Sequence, residues 1–245
     1  LNMFVYGSKP ATLKDGTLAQ PILDYAEKIM NGSLQHDELQ PSPLLERQSL
    51  LDYMQHCSEN YIRIGVSGPG RFLQQRLLFD EVSGTEGTAI HISPSVSDLG
   101  CYWVDVAVAN SLPQVSLEHL CRLLFLHNFD VTRARLDVLP DGENGNITML
   151  RMLVLPVADS EEPTKQAFEQ VALEMKRVKW LDPDAMDLVF DKYNDLGIVK
   201  AEIVTALCSL MHPILAKQNN AVYSKSNIYG HVTQERFIGH ASAIA

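Results

Sequence analysis

The sequence predicts an α+β fold: an antiparallel sheet with helices on one face, flanked by helical segments at both ends. Three observations predict it. Residues 102–109 and 131–139 alternate with a period of two, the stretches before residue 84 and after residue 184 repeat with a period near 3.6, and Asp141-Gly142-Glu143-Asn144-Gly145-Asn146 places a reversal between two apolar runs.

Taken in order, Leu18, Ile22, Tyr25, Ala26 and Ile29 mark a first helix that stops at Asn31-Gly32. Leu44, Leu45, Leu50, Leu51 and Met54 mark a second after Pro41-Ser42-Pro43. The run Tyr61 to Val66 reads as a short strand, and Phe72, Leu73, Leu77 and Leu78 as a helix ending near Ser83-Gly84. Thr88 to Ser93 reads as a strand, followed by the alternation of Tyr102, Val104, Val106 and Val108. Leu117, Leu120, Cys121, Leu124 and Phe125 form the stripe of an amphipathic helix with Ser116 as its cap. In the next strand Thr132, Ala134, Leu136 and Val138 alternate with Arg133, Arg135 and Asp137, so one face is expected to be covered and the other wet. Ile147 to Pro156 is almost continuously apolar, as a central strand requires. Beyond Ser160-Glu161-Glu162-Pro163, Phe168, Val171, Ala172 and Met175 line a further helix, and Ala185 to Tyr193 and Val199 to Lys217 two more, the last broken or kinked at Pro213. The central order is that of a ferredoxin-like or ACT-like sandwich. Three segments follow: 1–86 mainly helical, 87–180 ACT-like, and 181–245 helical. An open sheet of this kind is expected to self-associate.

Composition narrows the function. With 245 residues, 46% hydrophobic and 20% charged, the chain has enough apolar side chains for a sizeable core. A net charge of −10 without a basic patch argues against nucleic acid, whose phosphates need clustered Lys and Arg. Apolar runs such as Met149 to Val157, with Arg151 inside, fall short of the roughly 20 residues of a membrane span, so a cytoplasmic protein is expected. Cys57, Cys101, Cys121 and Cys208 form no C-x-x-C pair and read as reduced core thiols. The chain opens on Leu1 and closes on helix-compatible residues from Thr233 to Ala245 without a stop, which suggests a piece of a longer polypeptide.

Motifs that carry chemistry are sparse. The eight histidines show no H-E-x-x-H spacing, and no metal site is expected. Gly65-Val66-Ser67-Gly68-Pro69-Gly70 is neither a dinucleotide loop nor a P-loop, although Arg71 and Arg76 beside a helix start would suit an anion. The pairs Asp80-Glu81 and Glu161-Glu162 sit at helix ends, where capping explains them. Arg133, Arg135 and Arg151 form a cationic strand face; pairing with Asp105 or Asp137 is the simpler reading of it.

The runs Arg71-Phe72-Leu73-Gln74-Gln75-Arg76, Val82-Ser83-Gly84-Thr85-Glu86-Gly87, Phe129-Asp130-Val131-Thr132-Arg133-Ala134 and Gly145-Asn146-Ile147-Thr148-Met149-Leu150-Arg151 resemble the amino-terminal region of the large NAD-specific glutamate dehydrogenases. His231-Val232-Thr233-Gln234-Glu235-Arg236-Phe237 resembles the helical connector before their catalytic part. The resemblance implies a non-catalytic regulatory and oligomerisation region of an oxidoreductase that converts glutamate to 2-oxoglutarate and ammonia with NAD. It places NAD and catalysis in the carboxy-terminal part of the parent chain and carries no catalytic or cofactor-binding residue over to this sequence. ACT modules often bind an amino acid at the loop after their first strand. Here that loop is Asn110-Ser111-Leu112-Pro113, whose lack of glycine favours an architectural role. The alternative is an amino-acid-sensing module in which Asn110, Ser111, Arg133, Arg135 and Arg151 hold a carboxylate; a third reading is an enzyme using the glycine loop and Arg71.

Overall fold

Local sequence starts most of the helices. Residues 2–6, 18–36, 38–95, 98, 100–157, 165–234 and 237–238 are described in the computed structural model, the first five by their backbone. Helix α1 (Gln20–Met30) carries Pro21 in its first turn, buries Ile22, Leu23, Ala26 and Ile29, and ends at Gly32, whose φ of +72° a glycine adopts without strain. A 3-10 turn at Pro43–Leu45 leads into α2 (Arg47–His56). The run expected as a strand at Tyr61 to Val66 is instead α3 (Glu59–Ser67). Ser58 caps it by accepting from the Tyr61 amide at 3.1 Å, and Tyr61, Ile62 and Gly65 share its buried side, a helical spacing that outweighs the strand preference of single residues. Helix α4 (Pro69–Val82) begins one residue later with Pro69 at its first position, and it is buried almost all round.

The sheet has the strand order β1-β4-β5-β3-β2. Its four antiparallel members are β2 (Thr88–Pro94), β3 (Tyr102–Ala109), β4 (Phe129–Pro140) and β5 (Asn146–Pro156). The backbone of β1 (Asn2–Tyr6) pairs in parallel with β4 and covers an edge that the sequence left open. Helix α5 (Pro113–Leu126) joins β3 to β4, and α6 (Lys165–Met175) follows β5. Ser116 is not the cap of α5: the helix starts three residues earlier at Pro113, whose fixed φ suits a first turn, and Ser116 is buried within it.

Helices cover both faces of this sheet, and the expectation of helices on one face with a wet second face is corrected. On one face Ala89, Ala107, Ala109, Leu139, Ile147 and Met149 share a core with α1, α2, α3 and α4. The alanines are short enough for α4 to lie close to the sheet, and the apolar stripes of α1 and α2 find burial only there. On the other face α5 packs on β4 and α6 on β2, with the Phe168 ring tilted against Tyr102 at 4.6 Å and Phe129 at 5.4 Å between centroids. His127 at the end of α5 meets Glu174 of α6 at 2.8 Å. Asp137, expected to face water, is 4% exposed.

The chain divides into two compact units, Leu1–Lys179 and Trp180–Ala245, so the junction expected at residues 86 and 87 lies inside the first. In the second unit α7 (Pro183–Asp191), capped by Asp182, packs on α8 (Ile198–Leu215), which packs on α9 (Lys225–Val232). Helix α8 runs unbroken through Pro213 and ends two residues later. It, rather than Met149 to Val157, is the long apolar segment, and by length and composition it is apolar enough to cross a membrane. Glu161-Glu162 and most of Thr233 to Ala245 lie outside the described residues.

Two outcomes test this packing. A Cβ on Gly65 would stand 2.4 Å from the ring of buried Phe72, so Gly65→Ala is expected to lower the urea midpoint. Overpacking costs about 1–3 kcal/mol, which exceeds the helix-propensity gain of about 1 kcal/mol. For Glu174, burial raises the carboxyl pKa, but hydrogen bonds from His127 and Gln170 outweigh it and hold the pKa below the usual range. A depressed folded pKa contributes stability above the unfolded value and loses it as pH falls through the folded one. His127→Ala is therefore expected to flatten the acid limb of a stability-against-pH curve below the ordinary carboxylate range, and an unchanged limb would refute the linkage.

Candidate functional site

The register of the sheet sets one charged row across its α1–α4 face. His91 pairs with Asp105, Asp105 with Arg151, and Arg151 with Arg135 on the four neighbouring strands. The next row places Ser93, Trp103, Leu153 and Arg133 side by side. These rows lie beyond the alanines, where the junction of α3 and α4 at Gly68 roofs a cavity of about 460 Å³. Arg71, Arg133, Arg135 and Arg151 line it together with Trp103, Tyr61, Phe72, Ile64 and Asp98.

Three guanidiniums converge on one indole. Those of Arg151, Arg71 and Arg133 lie 5.1, 5.2 and 6.0 Å from the centroid of Trp103, while Arg135 lies 5.5 Å from that of Tyr61. Such contacts contribute about 0.5–1 kcal/mol each where water has access, too little to hold four like charges together. Carboxylates do most of it. Arg135 donates to Asp137 through Nε and Nη2 at 2.6 and 3.1 Å, Arg151 Nη2 to Asp105 at 3.0 Å, and Arg133 Nη2 to Asp98 at 3.0 Å. Arg71 has no ion pair among the described residues. Burial, then the neighbouring Arg151, push its pKa down, against the pull of Asp105. The Nε of Arg151 is buried without a hydrogen-bond partner among the described residues.

Asp105 is 2% exposed and joins the cavity to the core. Its second oxygen accepts from Gln75 Nε2 at 3.2 Å, Gln75 Oε1 accepts from Tyr61 at 2.9 Å, and the Tyr61 hydroxyl lies 3.1 Å from that of Tyr53. Burial raises the pKa of Asp105, a shift that Arg151 opposes without cancelling, and raises those of both tyrosines well above the usual phenol value. The tyrosines thus remain hydrogen-bond donors at any ordinary pH.

The five residues considered for effector binding separate into two groups. Arg133, Arg135 and Arg151 come together, and the ion pairs with Asp105 and Asp137 exist beside the cavity rather than in place of it. Asn110 and Ser111 stand at the far end of β3, seven residues and roughly 23 Å of strand from Trp103. There Asn110, at φ +49°, accepts from the Asn146 amide and donates to Glu86, while Ser111 donates to Thr148. Gly145 has no room for a side chain against Asn110 Oδ1, so this corner is locked by its own hydrogen bonds. Arg76 is apart as well, stacked between Tyr53 and Phe79. Trp103, Tyr61, Gln75 and Asp98 are additions that no motif announces; the alternation of β3 gives only the face on which Trp103 stands.

Among the described residues the cavity lining holds no Cys, His or Glu, and Ser67 Oγ donates to the Ile64 carbonyl of its own helix. Among the described residues no group of three or more His, Cys, Asp or Glu side chains is gathered to hold a metal. Burial raises the thiol pKa of Cys57, Cys121 and Cys208. The arrangement presents four guanidiniums and carbon surface to the space they enclose. No protein-family model matches the chain, and no curated protein is significantly similar to it.

Removing one member of a buried pair leaves the other charge uncompensated, at about 3–5 kcal/mol. Asp105→Ala is expected to destabilise the chain by that amount in urea unfolding. Asp105→Ala combined with Arg151→Met should cost less than the two single changes added together, and strict additivity would show that the pair does not act as a unit.

Proposed function

We propose that the chain is a non-catalytic regulatory and oligomerisation region of a cytoplasmic NAD-dependent glutamate dehydrogenase, and that the arginine-lined cavity is its effector site. The observation that carries the regulatory reading is Arg71: a solvent-accessible guanidinium with no ion pair among the described residues, at a cavity where three other guanidiniums have theirs. An anion supplies what the protein withholds. Assignment to that enzyme class rests on the sequence resemblance, and NAD and the chemistry belong to a catalytic part of the same polypeptide.

The strand order supports an ACT-like reading. From β3 onward the chain runs strand, helix, strand, strand, helix, with β5 inserted between β3 and β4, and β2 occupies the edge beside β3 that a ferredoxin-like module fills with its last strand. The site differs from the loop position usual for ACT modules: it uses the sheet face and the α3–α4 junction. A second reading, a free-standing amino-acid sensor, is favoured by the completeness of the cavity within Leu1–Lys179.

Glutamate-dependent NADH formation separates the readings. The 245-residue chain alone is expected to give none, and turnover by it would end the non-catalytic reading. In the polypeptide that carries this segment with its catalytic part, Arg71→Gln should leave basal kcat within about twofold and abolish any response to anionic effectors. A response identical to the unsubstituted enzyme would remove the cavity from regulation.

A further inference from the structure

We infer that the ligand of the arginine cavity is a small organic carboxylate with a flat apolar body, held at Arg71, and not a phosphate-rich ligand. This deepens the effector reading above and rests on it for biological meaning, although the binding itself is testable without it.

Charge sets the first limit. Among the described residues four guanidiniums meet three carboxylates, Asp98, Asp105 and Asp137, which leaves one cation to be matched. A single carboxylate matches it. A triphosphate brings three or four negative charges and would leave a surplus inside a partly desolvated space, where unpaired charge is expensive.

The donors set the second limit. Gly68 precedes α4 without a side chain to cap it, and Pro69 has no N–H, so the first turn of α4, which brings Arg71 to the cavity, has no side-chain cap. The guanidinium of Arg71 folds over Gly68, where a Cβ would come within 3.1 Å of its Nε. The forked donors of that guanidinium suit the two oxygens of one carboxylate.

The walls set the third. Ile64, Phe72, Ala134 and the faces of Tyr61 and Trp103 are carbon surfaces that offer a polyphosphate nothing, while about 460 Å³ accommodates a ring-sized body. Apolar walls with a few convergent polar groups are the usual make-up of a small-molecule site.

Isothermal calorimetry on the 245-residue chain tests the inference, with phenylacetate, its neutral analogue phenylacetamide, inorganic phosphate and tripolyphosphate as probes. In parallel, Trp180→Phe leaves Trp103 as the sole indole reporter, and its emission should shift on addition of phenylacetate. Phenylacetate is expected to saturate one site, with phenylacetamide and inorganic phosphate at least about tenfold weaker. Arg71→Gln should weaken phenylacetate about tenfold or more, and Arg71→Lys by less, with near-ultraviolet dichroism unchanged in both. Tripolyphosphate binding more tightly than phenylacetate would overturn the carboxylate assignment and leave an anion site standing. Equal affinity for phenylacetamide would overturn it by showing that the apolar walls act alone. No heat and no emission change with any anion would overturn both the ligand class and the effector reading of the cavity.

Discussion

Asp105 is a carboxylate sealed beneath the α3–α4 junction, and the first unit is arranged to tolerate it. A buried charge is retained only where other groups compensate it, and here three elements contribute. Arg151 crosses from β5, Gln75 reaches down from α4, and Tyr61 on α3 fixes the orientation of Gln75. The same contacts hold α3 and α4 against the sheet at the height that forms the cavity. Asp105 therefore links the packing of the helical layer to the shape of the site, and a ligand that competes for Arg151 acts on both.

The sheet face beneath those helices is divided by its residues. Toward the hairpin end, Ala89, Ala107 and Ala109 with Met149 and Ile147 make a low apolar floor on which α4 and its neighbours rest. Toward the other end, long cationic side chains and an indole prevent equally close packing. The gap between a close-packed half and a propped-open half is the cavity. Its cations lie opposite one another because Arg135 and Arg151 occupy facing positions in an antiparallel pair, an arrangement that like charges disfavour unless carboxylates intervene. Asp137 and Asp105 do intervene, and Arg71 arrives from the helical layer as the cation without one among the described residues.

Much of this architecture is legible along the chain. The stripes of α1 and α6, the alternation of β3 and β4, the continuous apolar character of β5 and the reversal at Asp141 to Asn146 follow from period and turn chemistry, whereas the stripe of α5 holds for Leu117, Leu120 and Leu124 but turns Phe125 outward and buries Leu123. Tyr61 to Val66 misleads because a six-residue window of β-formers carries no periodicity to set against them, whereas Ser58 and Gly65 lie outside it or look incidental. The cationic face is equally legible, since Arg133 and Arg135 share a parity with each other and Arg151 lies on the neighbouring strand. The glycine run Gly65 to Gly70 is visible too, but its relation to those arginines is not, because about sixty residues of chain separate them.

What the sequence by itself determined is the set of local periods, the acidic and apolar balance and the parity of each strand residue, all of which depend on composition or on neighbours a few positions apart. The tertiary structure decided that helices cover the second sheet face, that Asp137 is buried, and that Arg71 rather than Asn110 completes the cationic group. Those outcomes depend on which surfaces meet after the chain has turned back on itself, and no spacing between adjacent residues encodes that choice.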